Sequence, residues 1–112
     1  MGKLRECTLN FGEGLVWAVM YGDKRITLRR RRPEAHDFNQ GDVVIGKFEE
    51  GHQLYLFITD DTEVTTFAEL TDEVAREDGF NDADDALEKM IRYYPDLQPS
   101  DSLAIIRFQI LR

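Results

Sequence analysis

Residues 22–29 read Gly-Asp-Lys-Arg-Ile-Thr-Leu-Arg and place a lysine, a threonine and an arginine within six positions: Lys24, Thr27 and Arg29. A threonine hydroxyl is a weak nucleophile until a base removes its proton. A lysine is such a base when its ammonium is discharged, and cationic neighbours favour the neutral form. Arg25 and Arg29 supply those neighbours, while Asp23 acts in the opposite sense. Alternation along a strand puts Thr27 and Arg29 on one face and position 24 on the other. Lys24 therefore serves Thr27 only if the chain turns after Gly22 and Lys24 lies in that turn. Arg29, beside Thr27, is suited to holding a phosphate or stacking on a base. The bland alternative is a solvated lysine after a helix and a β-branched threonine filling a strand.

This stretch opens a charge anomaly. The chain has 112 residues and a net charge of −8. Yet Lys24, Arg25, Arg29, Arg30, Arg31 and Arg32 place 6 of its 14 basic residues in nine positions. Residues 60–101 carry 14 of the 22 acidic residues, with only Arg76, Lys89 and Arg92 as counter-charges. The net sign argues against tight non-specific binding to nucleic acid, which depends on neutralising phosphates. A local positive pole still guides a small anionic or polynucleotide ligand. On a strand only alternate members of the Arg29 to Arg32 run share a face. About two of the four can therefore face a ligand, and Arg30 and Arg31 stand with Arg29 as candidate phosphate contacts, or the run is a solvated tract neutralised by the acidic pole.

The elements that must position these groups are legible from the pattern. The length suits one domain, 1–112, able to bury roughly two-thirds of its unfolded surface. Residues 5–10 are expected as a strand. Gly14 to Tyr21 has apolar residues on one helical face, with Gly22 as its stop and Trp17 in the core or at the cleft wall. Ile26 and Leu28 alternate as in a strand. Gly41-Asp42 marks a turn, and Val43 to Glu49 and His52 to Thr59 form a hairpin about Glu50-Gly51. Glu63 to Phe67 begins another strand. Thr71 caps a helix ending at Gly79. Asn81 is the expected cap of the next, on which Ala83, Ala86, Leu87, Met90, Ile91 and Tyr94 form the apolar face and which Pro95 stops. Ser102 to Leu111 is the last strand, and its Leu103-Ala104-Ile105-Ile106 run predicts burial on both faces. The order predicts an α+β chain with a small curled sheet or barrel, closed by pairing of the first and last strands.

Taken in order, the motifs resemble the ASCH (ASC-1 homology) domain of the PUA-like superfamily. Gly22-x-Lys24-x-x-Thr27-x-Arg29 is similar to its signature. Gly41-Asp42, Leu70-Thr71 with Ala75-x-x-Asp78-Gly79-Phe80, Tyr94 and Ile106-Arg107-Phe108 follow in the family's order, over about residues 9 to 111. The resemblance implies a PUA-like β-barrel of about five to six mostly antiparallel strands, with two to three short helices at its rim. It implies a cleft that receives RNA or a modified nucleoside.

Small bacterial members include N4-acetylcytidine amidohydrolases that use a lysine, a threonine and a glutamate. These positions fall on Lys24, Thr27 and Asp78. Aspartate stands where the family has glutamate, one methylene shorter. The neighbouring Glu77 points about 100° away on a helix. The implied roles are Lys24 as base, Thr27 as nucleophile, and Asp78 as the carboxylate that orients the lysine or protonates the leaving amine. Arg29, Arg30, Arg31, Arg25 and Trp17 are the candidate substrate or RNA contacts. The alternatives are an RNA-binding module without catalysis, or a ribonuclease.

Other chemistries lack their residues. One cysteine, Cys7, permits no internal disulfide. His36 and His52 lie in unrelated contexts, so no zinc-deaminase spacing exists and no metal or cofactor is expected. Neither a phosphate-binding Gly-x-x-x-x-Gly-Lys loop nor a dinucleotide fingerprint occurs. No apolar run approaches the roughly 20 residues that span a bilayer. The N-terminus lacks a signal-peptide core, so the expected setting is cytoplasmic.

Overall fold

The computed structural model describes residues 4–11, 25–32, 37–49 and 51–111. Among these residues six strands make the sheet: β1 (Leu4–Phe11), β2 (Ile26–Arg30), β3 (Val43–Phe48), β4 (Gln53–Ile58), β5 (Glu63–Thr66) and β6 (Ser102–Ile110). A 3-10 turn, Phe67–Glu69, leads to α1 (Asp72–Glu77) and α2 (Ala83–Tyr93). The strand order is β1-β3-β4-β6-β2, with β5 also on β6. Every pairing is antiparallel except β1 with β3. Among the described residues the architecture is α+β: a curled, half-barrel sheet carrying two helices.

The last strand organises the rest. Residues 103–107 of β6 pair with β2 on one edge, and residues 102–105 pair with β5 on the other. Residues 108–110 then pair with β4. Its apolar run is buried on both faces, as the sequence predicts. Ala104, Ile106 and Phe108 join Leu9, Phe11, Val44, Leu56 and Ile58 inside the curl. Leu103 and Ile105 join Ile26, Leu28, Ala75, Ala86 and Met90 beneath the helices. Only a strand apolar at successive positions can serve two such clusters at once.

The expected pairing of first and last strands does not occur. With β2, β4 and β5 along its edges, β6 has no room for β1. Contact is made by side chains instead. The Phe11 ring stacks on Phe48 at 5.0 Å and meets Phe108 edge-on at 5.8 Å.

The helices start and stop by local chemistry. The Thr71 hydroxyl accepts the Val74 N–H at the start of α1. At its end the Phe80 N–H reaches the Ala75 carbonyl and the Gly79 N–H reaches that of Arg76, a Schellman motif. Gly79 takes the positive φ of 94° that this requires. The cap of α2 is Asp82 and not Asn81. The Asp82 carboxylate accepts the Asp85 N–H at 2.8 Å, and Asp85 in return accepts the Asn81 N–H at 2.9 Å. An aspartate three residues ahead of a second carboxylate thus builds a variant of the capping box, in which the return bond comes from the residue before the cap, Asn81. Ile91 is 41% exposed and stands off the core, whereas Ala86 and Met90 are buried. The expected helix at Gly14 to Tyr21 lies outside the described residues. Among the described residues no helix is long and apolar enough to cross a membrane.

Candidate functional site

Alternation along β2 divides its side chains between two environments. Ile26 and Leu28 face the helices. Thr27 and Arg29 face the other way, and Thr27 is only 4% exposed. Their shared face is realised as a contact: Arg29 Nε donates to Thr27 Oγ1 at 2.9 Å. Arg29 Nη2 donates to the Asn10 carbonyl at 2.7 Å, and the guanidinium lies 5.2 Å from the centre of the Phe11 ring. Burial lowers the Arg29 pKa from its ordinary value, and Tyr94 and Asp78 oppose the shift. A guanidinium stays charged at neutral pH regardless. A partly buried cation thus bonds directly to the Thr27 hydroxyl, which favours the alkoxide form of that oxygen.

Asp78 arrives from the opposite side. It is the C-cap residue of α1, so the Schellman turn at Gly79 sets the direction of its side chain. Asp78 Oδ2 accepts the Leu28 N–H at 3.3 Å. That N–H belongs to the edge of β2 turned away from β6, because positions 25 and 31 bond to β6 and their alternates point outward. Glu77 instead lies 3.6 Å from Arg107, which also binds Glu63. The carboxylate directed toward β2 is therefore that of Asp78.

These groups line one cleft of about 1040 Å³. Asn10 and Phe11 come from β1, and Thr27, Leu28 and Arg29 from β2. Glu49 follows β3, and Asp78 and Phe80 follow α1. The remaining wall is the C-terminal half of α2: Lys89, Met90, Arg92, Tyr93 and Tyr94. Tyr93 is 80% exposed and stands at the mouth, while Tyr94 caps the helix and is partly buried. Sequence reasoning missed Phe80, Lys89 and Arg92 as cleft residues. Phe80 belongs to the motif that places Asp78, and the two cations interrupt an otherwise acidic segment. Both signals were visible without a fold to show which face they occupied.

Beyond Arg29, the arginine run does not converge on the cleft. Arg30 binds Asp96 at 2.9 Å and Asp101 at 3.0 Å. Arg31 chelates Asp37 through Nη2 at 2.6 Å and Nε at 3.2 Å. Arg25 and Arg32 are exposed and are absent from the described cleft lining. The expectations for Lys24 and Trp17 lie outside the described residues. Among the described residues, no group of three or more His, Cys, Asp or Glu side chains is placed to hold a metal ion.

No family model matches the chain, and no curated protein matches it. Solved structures do. The hypothetical protein PH0355 is similar at a TM-score of 0.69 and 18% identity, over 97% of this chain and 99% of that one. Protein EF3133 from Enterococcus faecalis V583, labelled with the family DUF984, is similar at 0.66 and 17%, over 99% and 80%. Protein PF0455 from Pyrococcus furiosus is similar at 0.58 and 17%, over 95% and 97%. At such identities the likeness is one of fold: a small β architecture shared along almost the whole chain.

Proposed function

We propose that the cleft binds a modified nucleoside and hydrolyses an acyl group from it, as in N4-acetylcytidine. One observation carries this reading: the buried Thr27 hydroxyl accepts a hydrogen bond from the Arg29 guanidinium in a cleft that the Asp78 carboxylate also lines. The ordered ASCH-like motifs support the same assignment, because the family's threonine and acid fall on these two residues.

Thr27 Oγ attacks the acetamide carbonyl carbon, and Lys24 takes the hydroxyl proton. The tetrahedral intermediate collapses with cleavage of the C–N4 bond, and the proton held by Lys24 passes to the leaving N4 amine. Cytidine departs and the acetyl group remains on Thr27 as an ester. Water, deprotonated by the same lysine, attacks that ester and releases acetate, restoring the threonine hydroxyl. Asp78 holds the lysine's charge in position during both transfers. Arg29 keeps the Thr27 oxygen oriented and lowers the cost of its negative charge.

The test is incubation with N4-acetylcytidine, following release of acetate. Wild type is expected to turn over. Lys24→Ala and Thr27→Val are each expected to lose activity on the order of a thousandfold, while Thr27→Ser retains it. No turnover by wild type, or undiminished turnover by either inactivating variant, sinks the reading.

A further inference from the structure

We infer that the α2 rim of the cleft is a phosphate subsite built by Lys89 and Arg92, so the site prefers a nucleotide to the corresponding free nucleoside. The inference rests on the nucleoside reading of the cleft and adds a charge requirement to it.

Lys89 and Arg92 are three residues apart on α2, and that spacing brings their side chains to one helix face. Both line the cleft. The attraction of cations to a helix C-terminus explains why they lie late in α2. It does not explain why both face the cleft, since Ile91 between them is turned to solvent. The sign is also unexpected. Among the described lining residues, Arg29, Lys89 and Arg92 stand against Glu49 and Asp78 in a chain of net charge −8. The cations thus outnumber the carboxylates by one on the described lining of an otherwise acidic protein, and Lys89 and Arg92 put two of the three on one rim, a local arrangement that suits an anion.

Both cations can be recruited at small cost. Lys89 meets the partly buried Asp85 at 3.3 Å and Arg92 meets the exposed Glu88 at 3.8 Å, each a long pair within one helix turn. Such pairs are weak, and a phosphate is a stronger acceptor. Arg30 and Arg31 differ: each already holds two short hydrogen bonds to aspartate. The cleft also has the room for a nucleotide. Its volume of about 1040 Å³ lies at the upper end of small-molecule sites. Tyr93, 80% exposed on the cleft wall, offers an aromatic face to a base, while Lys89 lies over the Phe80 ring at 5.9 Å and stays beside the same wall.

The test compares binding of cytidine, cytidine 5′-monophosphate and the trinucleotide CpCpC to wild type and to the Lys89→Gln/Arg92→Gln double variant. Both substituted positions are exposed, so folding is not at risk. A phosphate-bearing ligand is expected to bind roughly tenfold tighter than cytidine at low salt. The gain should shrink with added salt and fall below about threefold in the double variant. A gain with the monophosphate assigns a terminal phosphate, and a gain with CpCpC alone assigns an internal phosphodiester. Equal affinities for all three, no measurable binding of any, or a preference that persists in the double variant overturns the inference. Acetate release from N4-acetylcytidine is followed separately. Its absence removes the hydrolase reading and leaves the affinity comparison intact.

Discussion

The Asp78 carboxylate accepts the backbone N–H of Leu28 at 3.3 Å, joining residues 50 positions apart. One side chain thus closes the C-terminus of α1 against the outward edge of β2. It fills an open ladder position and holds an acidic group beside the face that presents Thr27.

That double duty separates two variants. Asp78→Ala leaves the Leu28 N–H without its acceptor and is expected to cost about 1 kcal/mol in urea unfolding. Asp78→Asn retains an acceptor oxygen and should unfold within about 0.5 kcal/mol of wild type. If Asp78 steers the proton transfers, Asp78→Asn also slows acetate release on the order of a hundredfold. Full activity in Asp78→Asn would leave the residue with its structural duty alone.

Acid should weaken the ion pairs that engage Arg30. The hydrogen bond from Arg30, then one from its own backbone, holds the Asp96 carboxyl below the usual range. A carboxyl with a lowered folded-state pKa stabilises the fold above its unfolded value, about 3.9. That contribution is lost as the pH falls through the folded value. Arg30→Gln is therefore expected to lower the urea midpoint at pH 6 to 7, and the difference from wild type should vanish toward pH 2. A difference independent of pH would exclude charge pairing as its source. Because Arg30 does not line the cleft, affinity for cytidine 5′-monophosphate should be unchanged.

Gly46 tests the packing behind the site. A Cβ built there would lie 3.0 Å from Leu56 Cδ1 and 3.4 Å from Phe11 Cε2. Leu56 is fully buried, and Phe11 is the ring over which Arg29 lies. Gly46→Ala is expected to cost about 1–3 kcal/mol by overpacking. In a Leu56→Val background the same substitution should cost less, since the crowding methyl group has been withdrawn. Equal costs in both backgrounds would place the strain elsewhere.

The local elements were legible because their causes are local. Alternation marked β2, β3 and β4, and the four-residue apolar run marked β6 as buried on both faces. Thr71 and Gly79 announced the ends of α1. The cap of α2 was displaced by one residue because two side chains with similar capping strength, Asn81 and Asp82, are adjacent. The reciprocal bond with Asp85 favours the second. Ile91 fits the apolar spacing of α2 yet is exposed, because it lies at the margin of a stripe whose centre is Ala86 and Met90. The contact between Thr27 and Arg29 was also legible, since a spacing of two on a strand puts side chains together.

What the sequence by itself determined is the set of strands and helices, the shared face of Thr27 and Arg29, and the divergence of Glu77 from Asp78. Each follows from periodicities of 2.0 and 3.6 residues within a single element. Tertiary structure alone decided which of these faces meet. It brought Asp78 to the edge of β2, and Lys89, Arg92 and Tyr93 to the cleft that Thr27 lines. It also set Arg30 and Arg31 against aspartates 6 to 71 positions away. A run of charge in sequence has no direction in space until strand pairing orients it, and its partners are chosen by the packing of distant elements.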